Sequence, residues 1–399
     1  MILKRKYSKV DVNTFFLLLY FIYILNQVFS ESQYNNINSI NMTLKLIRWS
    51  LMLFFSLIII VRGKYSRKST AIFFSIFTAY AVINMMIFNG KILMVIMGLI
   101  LIASYKCPID KLFKTHISAV LSGYIFVICS TALGVIEDVV YTKVIKNLDT
   151  FFLPCDSVRH TMGFLVANQI PIAILFIYLY VILVKRDNYK FKNNLLLIIA
   201  NVIAYYLFSS RAVCIIIFAT MFMHYFALKH KVLFIKIGSF LSYVSLIMLT
   251  VVSVLGPMFL DLNNALINKL DIMLSFRITI IKRALNLYPL TLGGYGDTFK
   301  SNHDLSNFIV LDNGYISLFV QRGIIFGVLI IIAYVMLITI AKKNRDPYVL
   351  LVSLMVIIYN GIDSSFILYQ TIPLYCLLLN TGRKMFRLEP SLKIQDITG

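Results

Sequence analysis

Residues 314–347 read GYISLFVQRGIIFGVLIIIAYVMLITIAKKNRDP. Nothing from Gly323 to Ala341 carries a charge, and about 20 largely apolar residues suffice for a helix to cross the hydrocarbon of a bilayer. Lys342, Lys343 and Arg345 then close the run. Short cytoplasmic loops collect lysine and arginine. The stretch therefore predicts a span over 314–340 that finishes in a cytoplasmic segment, 341–347.

The same pattern repeats along the chain. Further apolar runs lie at 12–30, 44–62, 70–88, 91–105, 115–135, 166–184, 194–210, 212–228, 237–255, 348–363 and 365–381, which predicts an all-α integral membrane protein with about twelve transmembrane helices. Composition agrees. Of the 399 residues, 60% are hydrophobic and 14% charged, against about 25% charged in an average soluble domain, and the mean hydropathy is +0.84. The first run, behind Lys4, Arg5 and Lys6, exceeds a signal-peptide core and lacks a small-x-small cleavage site, so it is expected to be a retained span.

Charge sets the orientation. With the N-terminus inside, the cytoplasmic segments are 1–11, 62–69, 106–114, 185–193, 229–236, 341–347 and 382–399, and they hold 25 of the 38 Lys and Arg residues. Both termini are then cytoplasmic, and the net charge of +21 reports topology rather than nucleic-acid binding. The five cysteines are scattered, most of them in apolar runs, and predict neither a disulfide framework nor a metal site. The chain reads as a single membrane domain, residues 1–399, with no internal repeat.

Two external segments are long: 136–165, and 256–313 between the ninth and tenth helices. Loops of that length are usually functional. In the second, Ala265 to Leu287 has helical periodicity and predicts one helix along the outer interface. External arginines here have no topological purpose, and a guanidinium fork matches phosphate oxygens two at a time. The candidates are Arg159, Arg211, Arg277 and Arg322. Arg277 and Arg283 lie about 240° apart around a helix, so only one of them points at a shared site, and Arg277 is favoured. For Lys282 and Arg283 the plain expectation is lipid headgroups. Arg322 needs an outward course or a partner, for which Asp363 is the candidate. Acid–base candidates are Glu137, His160, Asp297, His303, Asp304 and Asp312. Gly293-Gly294-Tyr295-Gly296 lacks the spacing of a dinucleotide fingerprint and reads as a turn.

Four fragments carry a family likeness: Arg159-His160-Thr161-Met162-Gly163-Phe164 with Asn168; Ser209-Ser210-Arg211; Arg277-Ile278-Thr279-Ile280-Ile281 running to Tyr288-Pro289-Leu290-Thr291-Leu292-Gly293-Gly294-Tyr295-Gly296; and Asp312-Asn313-Gly314-Tyr315 leading to Arg322-Gly323. In these the chain resembles bacterial Wzy-type polysaccharide polymerases, relatives of the O-antigen ligases. The resemblance implies a metal-independent glycosyltransferase without cofactor in the bacterial cytoplasmic membrane. Its substrate would be undecaprenyl-pyrophosphate-linked oligosaccharide, with membrane lipids around it and a chain-length regulator and flippase as partners. It implies Arg159, Arg277, Asp312 and His303 in catalysis, and Arg211, Arg322, His160, Asn168, Tyr295 and Asn313 in substrate binding. Ligase relatives often place a histidine where this chain has Asp312, which favours polymerase. An O-antigen ligase and a lipid-linked-oligosaccharide flippase remain the competing readings. A transporter is expected to carry its charges near mid-membrane, whereas here they gather at the outer ends.

Overall fold

A computed structural model of the protein describes residues 11–62, 68–87, 92–144, 156–261, 263–273, 276–296, 311–363 and 369–380. Helices α1 (Val12–Ser30), α2 (Asn38–Arg62), α3 (Lys68–Ile87), α4 (Ile92–Ala103) and α5 (Ile109–Ala132) come first. A hairpin follows, β1 (Val140–Val144) and β2 (Asp156–His160), and then α6 (Gln169–Lys185), α7 (Asn194–Phe208), α8 (Arg211–Lys229) and α9 (Lys231–Val254). The last part holds α10 (Gly256–Phe259), α11 (Ala265–Met273), α12 (Arg277–Leu287), α13 (Gly314–Arg322), α14 (Ile324–Lys343), α15 (Pro347–Asn360) and α16 (Ile372–Asn380). Eight helices, α1, α2, α3, α5, α6, α8, α9 and α14, are long and apolar enough to cross a membrane, while α4, α7 and α15 are apolar but shorter. The chain is a multi-pass, largely helical membrane protein.

Packing explains the lengths. Every residue of α16 and all of α15 but Ile358 are buried, with α15 packed on α8, α9 and α14. A helix hydrophobic all round belongs inside a bundle. The outer helices turn one face out: Ile60 on α2 and Met86 on α3 are each 75% exposed, a liability in water and the solvated state in lipid.

Charged side chains make their contacts at the two ends of the bundle. At one end Arg62 donates to Asn13 at 3.0 Å, Arg186 pairs with Asp346 at 3.0 Å and Lys231 with Asp187 at 2.5 Å. Asp346 also caps α15, accepting the N–H groups of Tyr348 and Val349 at 3.1 Å, with Pro347 following, where a missing N–H costs nothing. This is the lysine-rich end. At the other, the hairpin end, Leu165 N donates to the Glu31 carbonyl and Gln33 N to that of Gly163, tying α1 to the approach to α6.

The external segment 136–165 carries a small antiparallel pair, β1–β2, in the register Val140↔His160 to Val144↔Asp156, within an otherwise helical fold. Two expectations need correcting. The single interfacial helix over 265–287 is two, α11 and α12, because Phe276 turns left-handed (φ 61°) and Asp271 folds back to cap α12. The run 314–340 likewise holds two helices, broken at Gly323 (φ 88°, ψ 164°), a backbone region essentially confined to glycine.

That break admits another chain segment. Ile324 N donates to the Thr291 carbonyl at 3.0 Å and Tyr295 N to that of Val320 at 3.1 Å. Gly293-Gly294 therefore runs against the α13–α14 joint, with Asn84 and Tyr80 of α3 donating to the Gly293 and Leu292 carbonyls. A Cβ on Gly323 would stand 2.3 Å from the Leu292 carbonyl oxygen, and one on Gly294 2.4 Å from Gly323 N. Gly134 also has positive φ, 72°, but faces open space. Gly134→Ala is expected to cost only the left-handed penalty of about 1–2 kcal/mol. Gly294→Ala and Gly323→Ala add backbone overlap worth about 1–3 kcal/mol more. Thermal unfolding of the detergent-solubilised protein should rank both below Gly134→Ala, and equal melting points would refute the close approach.

Candidate anion site at the hairpin end

Four segments far apart in sequence meet at the hairpin end. Arg159 lies on β2 opposite Tyr141, and its Nη2 donates to the Ser209 carbonyl at 3.2 Å. Ser209 ends α7 in the left-handed conformation (φ 48°, ψ 35°), and its carbonyl also accepts from Arg211 N at 3.2 Å. One tight turn thus receives Arg159 and starts α8 at Arg211. Burial, and next the positive charge of Arg211, disfavour the charged form of Arg159, while Asp312 favours it. Arg159 Nε is buried with no hydrogen-bond partner among the described residues.

Arg277 opens α12, and Asp271 holds that opening in place. Its Oδ1 accepts the N–H groups of Ile278 and Thr279 at 2.8 and 3.3 Å, and Oδ2 accepts the Thr279 hydroxyl. A carboxylate 1% exposed, reaching over from α11, thereby does the work of an N-cap. Ile278, Ile281, Ala284 and Leu285 bury the inner face of α12, and Arg277 Nη2 reaches Asp312 Oδ2 at 3.9 Å. Lys282 is tied down as well, donating to the Leu260 carbonyl at 3.1 Å, so its contact is with the fold rather than with headgroups alone.

Asp312 is the common point: it pairs with Arg277 and lies within electrostatic range of Arg159, which in turn feels Arg211. Three of the four candidate arginines are thus brought together. Arg322 is 9% exposed at the close of α13. Its suggested partner Asp363 accepts the Tyr359 hydroxyl at 2.9 Å.

Other candidates serve the fold. Asn313 spends its whole amide: Oδ1 accepts from Tyr315 N and Ile316 N, and Nδ2 donates to Ser253 Oγ and the Gly361 carbonyl, both at 2.9 Å. With two acceptor and two donor positions filled, nothing is left for a ligand. His160 Nδ1 meets Asp138 Oδ2 at 2.7 Å, which anchors the hairpin. Tyr295 packs edge-on against Tyr288 with centroids 5.1 Å apart. Asn168 Oδ1 is buried without a hydrogen-bond partner among the described residues. His303, Asp297, Lys300 and Asp304 lie outside the described residues.

Sequence reasoning passed over three acids. Asp138 adjoins the Glu137 that drew attention, and only the hairpin turn separates their roles. Asp271 looks like one more loop acid. Glu31, at the end of α1, has Oε2 buried without a hydrogen-bond partner among the described residues, and burial pushes its carboxyl up to about 8. It sits within electrostatic range of Tyr23, Tyr124 and Tyr369, a setting that a polar residue following an apolar run does not advertise.

Asp138 sets a stability test. Burial raises its pKa, but His160 and the N–H groups of Met162 (2.7 Å) and Thr161 (3.0 Å) outweigh that and hold it below the usual carboxylate value. A depressed carboxylate contributes stability above its unfolded pKa of about 4 and loses it as pH falls through the lower folded value. Asp138→Ala takes the acceptor from the Met162 N–H and the partner from the His160 ring, while Thr161 N keeps the Val139 carbonyl. It is expected to lower the unfolding free energy by about 1–3 kcal/mol at neutral pH, and by less in acid; a loss that does not shrink on acidification would contradict the assignment. No family model matches the chain, and neither a curated protein nor a solved structure does.

Proposed function

We propose that the chain is a polysaccharide polymerase of the cytoplasmic membrane of a bacterium. It would join undecaprenyl-pyrophosphate-linked oligosaccharide units on the outer side. The observation that carries this reading is the gathering of Arg277 and Arg159 near Asp312, with Arg211 beside Arg159, at the end of the bundle opposite the lysine-rich one. By the positive-inside rule the lysine-rich end is cytoplasmic, which makes the hairpin end external. The full expectation of about twelve spans with both termini inside belongs to this proposal.

The reaction follows from the groups present. The guanidiniums bind the diphosphate that links the growing chain to its lipid and stabilise the charge that develops on it. An acceptor hydroxyl of the next unit attacks the anomeric carbon of that chain. A carbon–oxygen bond forms, the bond from carbon to pyrophosphate breaks, and undecaprenyl pyrophosphate leaves with the electron pair. The hydroxyl proton passes to the Asp312 carboxylate, which is 55% exposed and so accessible to an acceptor.

Arg159→Ala and Arg277→Ala are each expected to cut elongation about 10²–10³-fold with the protein still inserted at its normal level, read as the ladder of surface glycan on a gel. Arg277→Lys keeps the charge and loses the fork, so it is expected to recover only part of the activity. A normal ladder from both alanine variants would sink the reading. Deleting the gene should leave single repeat units attached. Unattached carrier-linked polymer would instead mean a ligase, and inward-facing lipid-linked units a flippase, and either would overturn the proposal.

A further inference from the structure

A second site lies at the other end of the molecule. Between α5 and α6 is a cavity of about 650 Å³ lined by Lys114, Ser118, Ser122 and Ile125 from one helix and Val181 and Lys185 from the other, among other residues. The spacing explains the groove. Lys114, Ser118, Ser122 and Ile125 recur every three or four residues, so they form one stripe along α5. Two serines in the middle of that stripe are too small to fill the space that a leucine would fill. Ser122 and Ile125 are exposed, so the groove opens sideways, where the other outward faces of the bundle are apolar.

Length and charge identify the occupant. From Lys114 to Ile125 the stripe measures about 16 Å, and one leaflet of hydrocarbon is about 15 Å deep. Both lysines stand at the same end, Lys114 in the second turn of α5 and Lys185 closing α6, and both are exposed. No acid lines the cavity. Of the nearby acids, Asp187 is committed to Lys231 and Tyr348, and Asp110 stands a turn before Lys114, toward the helix start. Neither lysine has an ion-pair partner among the described residues. A groove one leaflet long, lined by aliphatic side chains and two small serines and doubly cationic at its mouth, matches an acyl chain beneath an anionic headgroup, and basic pockets between spanning helices are a recurrent form of lipid recognition.

We propose that this groove holds one anionic glycerophospholipid of the leaflet at the lysine-rich end, with its phosphate between Lys114 and Lys185 and one acyl chain lying over Ser118 and Ser122. The site is separate from the arginine cluster. All of α6, about 25 Å long, lies between Lys185 and the hairpin, and the inference stands whether or not the polymerase reading does.

The test uses the full-length protein, stripped of lipid in detergent and then offered phosphatidylglycerol or phosphatidylcholine, with retained lipid counted by native mass spectrometry. The wild type is expected to keep one phosphatidylglycerol. Lys114→Glu/Lys185→Glu should retain it about tenfold less or worse, and phosphatidylcholine should be lost from both. Ser122→Trp fills the groove and spares the lysines, and it should also lose the lipid. Each variant is compared only after showing the wild-type melting point, and Lys114→Gln/Lys185→Gln stands in should the charge reversal fail to fold. Equal retention by wild type and lysine variants, equal retention of the two lipids, or full retention by Ser122→Trp would each overturn the proposal. So would a lysine-independent dimer that occupies this face in place of lipid.

Discussion

The fold depends on the cost of putting charge into hydrocarbon. Insertion scales charge about 2.5–3.5 kcal/mol for an arginine, lysine or aspartate at mid-membrane, so polar groups in a bundle this apolar are driven to its two ends. The ends then solve different problems. At the lysine-rich end the partners are close and local in purpose: Arg186 neutralises the buried cap Asp346, and Lys231 closes on Asp187. At the hairpin end Arg277 meets Asp312 at 3.9 Å, Arg159 lies within electrostatic range of Asp312, and Arg211 within range of Arg159. One end is closed by ion pairs. The other gathers three guanidiniums around one long contact.

Backbone geometry positions all three arginines, and the side-chain contacts of Arg159 with Ser209 and of Arg277 with Asp312 add to it. Arg159 is fixed by strand register and by Asp138, which pins the turn after β2 through two backbone N–H groups. Arg211 follows from the left-handed residue at Ser209, and Arg277 from the left-handed Phe276 and the Asp271 cap. Backbone devices of this kind set the positions of charged groups before any ligand arrives, which is what makes electrostatic stabilisation effective.

This division also explains what could be read from the sequence. Hydropathy sums over many residues, and each expected apolar run contains a helix in the structure. The breaks depend on single residues. Gln321-Arg322-Gly323 interrupts the apolar run for only three residues, and glycine is common in membrane helices, so a span-length reading of 314–340 passes over the stop. Across Met273 to Arg277 the apolar period continues into Ile278 and Ile281, which hides the left-handed turn at Phe276. The hairpin at 136–165 is too short and polar to announce itself. Residue type pointed to the guanidiniums, because their chemistry is the same wherever they stand. For Asn313 and His160 residue type says less, because an amide or imidazole serves a helix cap or a loop anchor as readily as a sugar, and here their partners are a helix start and Asp138.

The loose contact between Arg277 and Asp312 bears on how binding and chemistry join in the proposed reaction. An ion pair with both side chains substantially exposed, 33% and 55%, contributes little, about 0–1 kcal/mol. A diphosphate offers the same guanidinium more charge and two oxygens at once, so the exchange favours the diphosphate. In the proposed reaction Arg277 turns to the diphosphate and releases the Asp312 carboxylate from that ion pair toward the acceptor hydroxyl. Binding of the donor thereby prepares the acceptor's proton acceptor, and the hydroxyl is activated only when there is a chain to receive. A histidine at position 312 would lack this coupling, because a neutral imidazole does not pair with Arg277 in the empty site and has no pair to be released from.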